Sequence, residues 1–251
     1  MCDSVNSMDR LDGKVAIITG GAQGIGRASA YVLAQHGATV VLADMNIENA
    51  EKTASEFVKE GLTAVASEVN IASRESVEKM VRKVREQFDT IDILVNVAGI
   101  GDDSTPLTLD EESWNRIVDI DLRGAHFVTQ AVLETMINQR SGKIVNIGSS
   151  AGQMGGMYIG VAYTAAKGGT IAMTKGYARF CAQYGINVNC IAPGLIQTPL
   201  TMGRGDDPNT VPLKRLGTAT DCAKAVYFLS SQLSDYITGA TIDVNGGILM
   251  R

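Results

Sequence analysis

Histidine and cysteine are scarce in this chain of 251 residues. The only histidines are His36 and His126, and the four cysteines show no C-x-x-C spacing. Because a transition-metal site needs clustered His, Cys or carboxylate ligands, we predict that no metal is bound. Unpaired thiols are also typical of a reducing compartment, since disulfide frameworks form in oxidising ones.

Long apolar runs and clusters of positive charge are absent as well. No run approaches the roughly 18 apolar residues that a membrane span requires, and the first ten residues lack the apolar segment of a secretion signal. Lys and Arg number 22 against 27 Asp and Glu, a net charge of −5, and the basic residues are dispersed. We therefore expect neither a membrane nor a nucleic acid as partner, and cytoplasmic residence.

Strand-like and helix-like patterns alternate along the chain without a linker. Residues 1–10 form a polar extension, and 11–251 suit one α/β domain in which runs such as 15–18 and 39–43 are strands. Further predicted elements are strands at 63–66, 91–96 and 143–147 and helices at 47–59, 74–88, 111–138 and 161–183. This alternation predicts a doubly wound parallel sheet with helices on both faces, and a ligand crevice at the carboxyl ends of its strands.

A glycine cluster, T-G-G-A-Q-G-I-G over residues 19–26, follows the first strand-like run. Glycines let a backbone approach an anion and expose amide donors at the positive end of a helix dipole. Asp44 ends the second strand about 20 positions later, where dinucleotide folds bind the adenosine ribose. The alternatives are an ordinary turn and a helix cap at Asp44, although Asn46 is also placed to cap the next helix.

Asp44 also bears on the choice of cofactor. A carboxylate accepts hydrogen bonds from two ribose hydroxyls and repels a 2′-phosphate. A basic residue that would accommodate this phosphate belongs in the glycine loop or just after the second strand, where Gln23 and Met45 stand instead. Arg27 falls inside the helix, where a solvated position is favoured. We predict NAD as the cofactor.

Tyr163 and Lys167 lie four residues apart, thirteen and seventeen residues after Ser150. A free phenol has a pKa of roughly 10 and is a poor base near neutral pH unless a cation lies beside it. Residues four apart share one face of a helix, so the ammonium can stand next to the hydroxyl and favour the phenolate. The alternative is a solvated helix face on which the lysine extends to water.

Taken in order, these motifs resemble the short-chain dehydrogenase/reductase superfamily in its single-domain form. The resemblance extends to N-V-A-G over 96–99, G-S-S over 148–150, P-G over 193–194 and T-P over 198–199. It implies a Rossmann-like fold, a bound NAD-type cofactor, and a homo-tetramer or dimer formed through the long helices. By position it makes Ser150 the hydroxyl that orients the substrate, Tyr163 the acid/base, and Lys167 both the tuner of Tyr163 and the holder of the nicotinamide ribose.

The resemblance also implies a set of cofactor-binding residues. They are Gly20, Gln23, Gly24, Ile25, Gly26, Asp44, Glu68, Val69, Asn96, Ala98, Gly99, Tyr163, Lys167, Pro193, Gly194, Ile196 and Thr198. Glu68 is a minor departure, since the family often has aspartate near the adenine ring.

A second departure falls at the site itself. The family places an asparagine seven residues after its tryptophan, whereas Trp114 is followed at that spacing by Asp121. The asparagine is held to help carry a water-linked proton path from the lysine, and an ionised Asp121 accepts hydrogen bonds but donates none. We count Asp121 among the catalytic residues. If it projects toward Lys167, its charge should stabilise the ammonium and weaken that ammonium's pull on the Tyr163 proton.

The substrate is the least constrained part of the prediction. Met154, Met157, Tyr158 and Met202 are candidate wall residues, because methionine adapts to irregular apolar shapes, but the methionines suit packing against a neighbouring subunit equally well. We expect NAD-dependent interconversion of a secondary alcohol, such as a polyol or a hydroxysteroid, and the corresponding ketone. One alternative is reduction of a 3-oxoacyl thioester, disfavoured because neither an NADP signature nor a basic patch for an acidic carrier is visible. Another is a catalytically silent NAD-binding redox sensor.

Overall fold

A computed structural model describes residues 10–101, 103–156 and 159–251 of the protein. The strands are β1 (Val15–Thr19), β2 (Thr39–Asp44), β3 (Ala64–Glu68), β4 (Ile93–Asn96), β5 (Gly142–Ile147), β6 (Ile186–Pro193), β7 (Ile196–Gln197), β8 (Gly217–Thr218) and β9 (Thr241–Val244). Seven of them form one sheet in the order β3-β2-β1-β4-β5-β6-β9, with every neighbouring pair parallel. This confirms the predicted doubly wound sheet. Strands β7 and β8 form a separate short pair.

Helices cover both faces of the sheet. They are α1 (Gly24–Gln35), α2 (Ile47–Lys59), α3 (Arg74–Phe88), α4 (Glu111–Val118), α5 (Ala125–Gln139), α6 (Ala151–Met154), α7 (Val161–Cys181) and α8 (Ala219–Ser230), with a π-helical turn at Asp119–Gly124 and 3₁₀ turns at Ala182–Tyr184, Pro208–Thr210 and Gln232–Ser234. Helices α1, α2 and α8 pack on one face, and α3, α5 and α7 on the other.

The core follows from the two-residue period of the strands. In β1, Ile17 packs with the α3, α5 and α7 layer, whereas its neighbour Ile18 packs with α1, α2 and α8. Both side chains are fully buried, because a parallel sheet that is covered on both faces offers no solvated side. Strands β1 and β4 are therefore apolar up to their last residues, Thr19 and Asn96, whereas β5 and β6 also bury Asn146 and Asn189.

Helix starts agree closely with the sequence. The predicted bounds of α2 and α3 are those observed. The side chain of Asn46 caps α2 by accepting a hydrogen bond from the backbone N–H of Asn49 at 3.0 Å. Ser73 caps α3 in the same way, through Ser76 at 3.3 Å. Asn46 thus fills the capping role that was the alternative for Asp44, and the carboxylate is left for other contacts.

The helix predicted over 111–138 is not continuous. The π-helical turn at Asp119–Gly124 separates α4 from α5. Within it, the backbone carbonyl of Asp121 accepts a hydrogen bond from the Thr170 hydroxyl on α7 at 3.2 Å. A π turn shifts the ladder of helical hydrogen bonds and frees such a carbonyl, and turns of this kind often mark functional sites. Sequence periodicity does not reveal it, because the tertiary contact with α7 stabilises it.

Within the described ranges, no helix is both long enough and apolar enough to cross a bilayer. The same ranges hold no group of three or more His, Cys, Asp and Glu side chains placed to bind a metal ion.

Candidate active site

A cleft of about 570 Å³ opens at the carboxyl ends of the strands. Its wall includes Gly20 after β1, Asp44 at the end of β2, Ala98 after β4, Ser150 after β5 and Pro193 at the end of β6. The ends of parallel strands meet at one edge of a sheet, so residues that are far apart in the sequence converge here. This is the crevice that the alternating pattern predicts.

The glycine turn brings the start of α1 against the end of β1. A Cβ atom on Gly26 would overlap the backbone carbonyl of Gly20, and one on Gly20 would lie 3.0 Å from the backbone of Ala98. Gly20 and Gly24 also adopt positive φ angles, of 65° and 55°. Only glycine meets these demands, and the result is a tight cradle at the positive end of a helix. Such a cradle fits the pyrophosphate of a dinucleotide.

The carboxylate of Asp44 is held in place at the cleft wall. Its Oδ2 accepts a hydrogen bond from the backbone N–H of Ala22, and its Oδ1 accepts one from Asn46, both at 3.1 Å. Arg27 is directed elsewhere, because its guanidinium lies 3.1 Å from a carboxylate oxygen of Glu56. Among the described residues that line the cleft, the basic side chains are those of Lys167 and Arg204. A fixed negative charge without an adjacent cation suits ribose hydroxyls better than a phosphate.

Most of the predicted cofactor residues line this cleft. They are Gly20, Gln23, Gly24, Ile25, Asp44, Val69, Ala98, Gly99, Tyr163, Lys167, Pro193, Gly194, Ile196 and Thr198. Gly26 does not line the cleft, but it lets the start of α1 pack against the backbone of Gly20. Asn96 is buried and does not line the cleft, and it donates hydrogen bonds of 2.9 Å to Thr129 and Asn146, which tie β4 to its neighbours. Glu68 is exposed and does not line the cleft, because side chains alternate along β3 and the next residue, Val69, faces inward.

Ser150, Tyr163 and Lys167 come together on the wall of the cleft. Tyr163 and Lys167 lie one turn apart on α7, with the ammonium 5.5 Å from the centre of the phenol ring. Lys167 donates a hydrogen bond to the backbone carbonyl of Ile147 at 3.2 Å. Ser150 is fixed through its backbone N–H, which donates to the carbonyl of Pro193 at 2.9 Å. The structure thus groups the three side chains as the sequence predicts.

Asp121 faces Lys167 from the π-helical turn. Its Oδ2 lies 3.3 Å from the lysine Nζ, and its fully buried side chain accepts a hydrogen bond on Oδ1 from the backbone N–H of Ile100 at 2.8 Å. Space here is tight, because a Cβ on Gly99 would lie 2.9 Å from Oδ2. Asp121 therefore projects toward Lys167, which is the arrangement that its predicted effect on the Tyr163 proton requires.

Burial and charge act against each other in this pair. Burial raises the pKa of Asp121, and the adjacent Lys167 ammonium limits that rise. Burial opposes the charge on Lys167, but the negative charges of Asp121 and Tyr163 outweigh it and raise the lysine pKa. Burial also raises the pKa of Cys190 to about 11, which keeps this nearby thiol neutral. Lys167 is thus held as a cation beside the phenol.

The outer part of the cleft has apolar walls. Met154 lines it as predicted, while Met202 is 82% exposed and is not a lining residue, because its loop turns the side chain outward. The candidates Met157 and Tyr158 lie outside the described residues. Lining residues that the sequence argument missed are Ile100, Ile159, Leu195, Leu200, Arg204 and Ile248. For Ile100 and Leu200 the available signal was their position directly after the N-V-A-G and T-P motifs, since both motifs follow strands that end at the cleft.

Comparison with known proteins agrees with this geometry. A family model described as enoyl-(acyl carrier protein) reductase matches residues 20–249. The 3-oxoacyl-[acyl-carrier-protein] reductases FabG of Thermotoga maritima and Escherichia coli are 39% and 40% identical to the chain. Both alignments cover 96% of the chain, with 100% of the first relative and 99% of the second.

A solved structure supports the same relationship. A gluconate 5-dehydrogenase from Burkholderia cenocepacia, in complex with NADP and tartrate, superposes with a TM-score of 0.92 at 35% identity. The superposition covers 96% of this chain and 97% of that one. With the glycine cradle and the Ser150, Tyr163 and Lys167 group in one cleft, the chain belongs to the short-chain dehydrogenase/reductase superfamily and is one of its nicotinamide-dependent oxidoreductases.

Proposed function

We propose that this chain reduces the ketone of 3-oxoacyl thioesters to a secondary alcohol, with NADH as the reductant. The observation that carries the proposal is that FabG reductases resemble 96% of the chain, which retains Ser150, Tyr163 and Lys167 together in a cleft with apolar walls. The sequence alone favoured a polyol or hydroxysteroid and ranked the thioester second. The relatives reverse that order.

The proposed chemistry needs a proton donor at the ketone oxygen. Ser150 and Tyr163 are placed to donate hydrogen bonds to this oxygen, and the Tyr163 hydroxyl gives up its proton as the oxygen gains charge. Lys167 stabilises the phenolate that remains, and Asp121 holds the ammonium in position at 3.3 Å. The glycine turn and Lys167 would hold the dihydronicotinamide cofactor, which would supply the hydride for the carbonyl carbon. Alcohol oxidation is the same sequence in reverse, with Tyr163 taking the proton.

The remaining cleft residues orient the substrate and exclude water. Met154 and Ile159 lie on the side of α6 and the segment before α7, and Leu200 lies on the loop after β7. Apolar walls of this kind suit an acyl chain and lower the local dielectric, which strengthens the hydrogen bonds at the oxygen. A thioester carrying a short acyl group is therefore a compatible occupant.

Asp44 supports NADH as the reductant. Its carboxylate is anchored by Ala22 and Asn46 at the cleft wall, and Met45 stands where a cation for a 2′-phosphate would be needed. The gluconate 5-dehydrogenase named above binds NADP, so the family does not fix this choice. We expect the double variant Asp44→Ala, Met45→Arg to raise the ratio of kcat/KM for NADPH to that for NADH. Met45→Gln is the matched control, and a wild-type preference for NADPH would contradict the argument.

A substrate panel tests the proposal itself. Oxidation of NADH is followed with acetoacetyl coenzyme A, the acetoacetyl thioester of N-acetylcysteamine, 5-ketogluconate and a 3-ketosteroid. We expect the two thioesters to give the highest kcat/KM. Turnover of the sugar acid or the steroid with no turnover of either thioester would refute the proposal.

The second candidate is oxidation of a hydroxy acid or polyol. It is favoured by the likeness to the gluconate 5-dehydrogenase, whose structure covers almost the whole chain at a TM-score of 0.92. The same panel separates the two candidates, because 5-ketogluconate is the ketone of that reaction.

We also propose that residues 11–251 act as one domain, within a homo-tetramer or dimer in the cytoplasm. The family resemblance supports an assembly through the long helices α5 and α7. Light scattering on the eluted protein gives its mass, to be compared with 26.6 kDa for one chain. A single chain that is fully active would contradict the oligomer.

A further inference from the structure

Arg204 is a half-buried arginine on the wall of the cleft, in the loop that follows β7. Among the residues that the structure describes, no carboxylate lies within ion-pair distance of its guanidinium. Asp206 lines the same cleft but does not pair with it. A half-buried guanidinium with no carboxylate beside it keeps its N–H donors available to an anion.

Two other arginines, Arg27 and Arg215, are used differently. Arg27 pairs with Glu56 at 3.1 Å, and Arg215 pairs with Asp221 at 2.7 Å. These pairs stabilise the surface, and neither points into the cleft. Arg204 differs from both by its position, because its planar guanidinium, with five N–H donors, lines the cleft where a substrate would bind.

The loop that carries Arg204 crosses the cleft from the cofactor side to the side of β4. At its start, Thr198 approaches the glycine turn, 3.7 Å from the Cβ position of Gly24. Further along, the Nη2 atom of Arg204 lies 3.0 Å from the Cβ position of Gly101. Gly101 follows Ile100, whose N–H binds Asp121 beside Lys167. The guanidinium thus lies beside the segment that follows β4.

We propose that Arg204 binds an oxyanion of the substrate and so determines which ketones the enzyme prefers. The inference rests on the proposed ketone reduction and adds to it a negatively charged group, a phosphate or a carboxylate, which the planar guanidinium binds in a bidentate manner. In a thioester this group is the phosphate of the phosphopantetheine arm. In a free oxo acid it is the carboxylate. A single methylene separates this carboxylate from the ketone of acetoacetate, whereas the phosphate lies at the far end of the arm, so with the ketone at Tyr163 the guanidinium reaches only one of the two, and matched substrates show which.

Matched substrates separate the charge from the ketone. The acetoacetyl thioesters of 4′-phosphopantetheine and of pantetheine differ only in the phosphate, and acetoacetate and ethyl acetoacetate differ in the carboxylate. Each is assayed with NADH on the wild type, Arg204→Gln, Arg204→Lys and Arg82→Gln. Arg82 is an exposed arginine on α3 outside the cleft, and its change removes the same charge.

We expect Arg204→Gln to lower kcat/KM for the preferred anionic substrate roughly 10- to 100-fold, mainly through KM, because a hydrogen bond to a charged group is lost. The neutral partner of the pair should change less than about twofold. Arg204→Lys should recover part of the loss, and Arg82→Gln should behave as the wild type. An equal loss for charged and neutral substrates, or no loss for either, would overturn the inference.

Failure of the proposed function gives a different pattern. Wild-type turnover of acetoacetate but of no thioester would refute thioester reduction, while a loss confined to acetoacetate in Arg204→Gln would still support Arg204. If no ketone is reduced, the affinities of 4′-phosphopantetheine and of acetoacetate are measured by calorimetry for the wild type and for Arg204→Gln. Equal affinities in the two proteins would overturn the inference. Weaker NADH binding in Arg204→Gln, with substrate charge irrelevant, would assign the guanidinium to the cofactor and overturn it too.

Discussion

Replacing Asp121 by asparagine tests how the charge under the site acts on Tyr163. The asparagine side chain has the same shape and its amide oxygen can still accept the hydrogen bond that Ile100 donates at 2.8 Å. The change removes the negative charge 3.3 Å from the Lys167 ammonium, and it places an amide NH2 group where Oδ2 faces that ammonium. We expect Asp121→Asn to remain active, and the rise of kcat/KM for alcohol oxidation with pH to move to lower pH. The reason is that the ammonium then acts on the phenol without an opposing carboxylate.

The size of this shift follows from the distances in the site. Lys167 lies 3.3 Å from Asp121 and 5.5 Å from the centre of the Tyr163 ring, so the carboxylate is at most about 9 Å from that centre. At an effective dielectric constant of about 20, a unit charge at this distance contributes roughly 2 kcal/mol. Because one pKa unit corresponds to about 1.4 kcal/mol, we expect a shift on the order of 1 pH unit.

The assay is a pH profile of kcat/KM between about pH 6 and pH 10, with wild type and variant measured on the same 3-hydroxyacyl thioester. Burial lowers the pKa of Lys167, and the variant lacks the carboxylate that raises this pKa. A thermal unfolding curve at pH 7 serves as the control that the variant is folded. An unchanged midpoint would refute the coupling of Asp121 to Lys167 and Tyr163, and a midpoint displaced to higher pH would refute the predicted direction, since it would mean that Lys167 loses its charge with the carboxylate.

Two further predictions concern the framework of the site. Gly26→Ala should abolish NADH binding and lower the melting temperature, because the new Cβ overlaps the backbone carbonyl of Gly20. Gly176→Ala on α7 is the control and should be neutral or stabilising, because its Cβ meets nothing within 4 Å. Calorimetry measures the binding and thermal unfolding the stability, and normal NADH affinity in Gly26→Ala would contradict the prediction. Arg215 and backbone hydrogen bonds hold the pKa of Asp221 well below its usual range, so this carboxylate contributes stability above about pH 4 that is lost as the pH falls toward its folded pKa. Asp221→Asn should lower the melting temperature by about 2 °C at pH 7, and an equal loss at pH 7 and pH 3 would contradict the electrostatic origin.

Sequence patterns predict the framework because its causes are local. The apolar runs define the strands, caps such as Asn46 and Ser73 fix helix starts, and the glycine spacing of 20–26 leaves one way to bring a helix against a strand end. The grouping of Ser150 with Tyr163 also follows from the sequence. Ser150 comes shortly after β5, Tyr163 lies in the first turn of α7, and both line the cleft at the sheet edge.

Features that depend on contacts between distant elements were not predictable in this way. The π-helical turn around Asp121 depends on Thr170 from another helix, and strand β9 is short and only half-buried. Glu68 was assigned to the cofactor by family position, but the alternation of side chains in β3 turns it to solvent. Arg204 lies in a loop whose polar composition gives no sign that it folds back over the cleft.

The most direct test of the central claim is the kcat/KM for NADH-dependent reduction of an acetoacetyl thioester by the wild type and by Tyr163→Phe. Proton transfer by a positioned group contributes a factor of roughly 10² to 10⁴ in rate, so we expect the wild type to turn over and the variant to lose at least about a hundredfold. NADH affinity should be nearly equal in the two proteins, since the phenylalanine keeps the ring and Lys167 remains. A variant that retains most of the wild-type rate, or a wild type without activity on the thioester, would contradict the account.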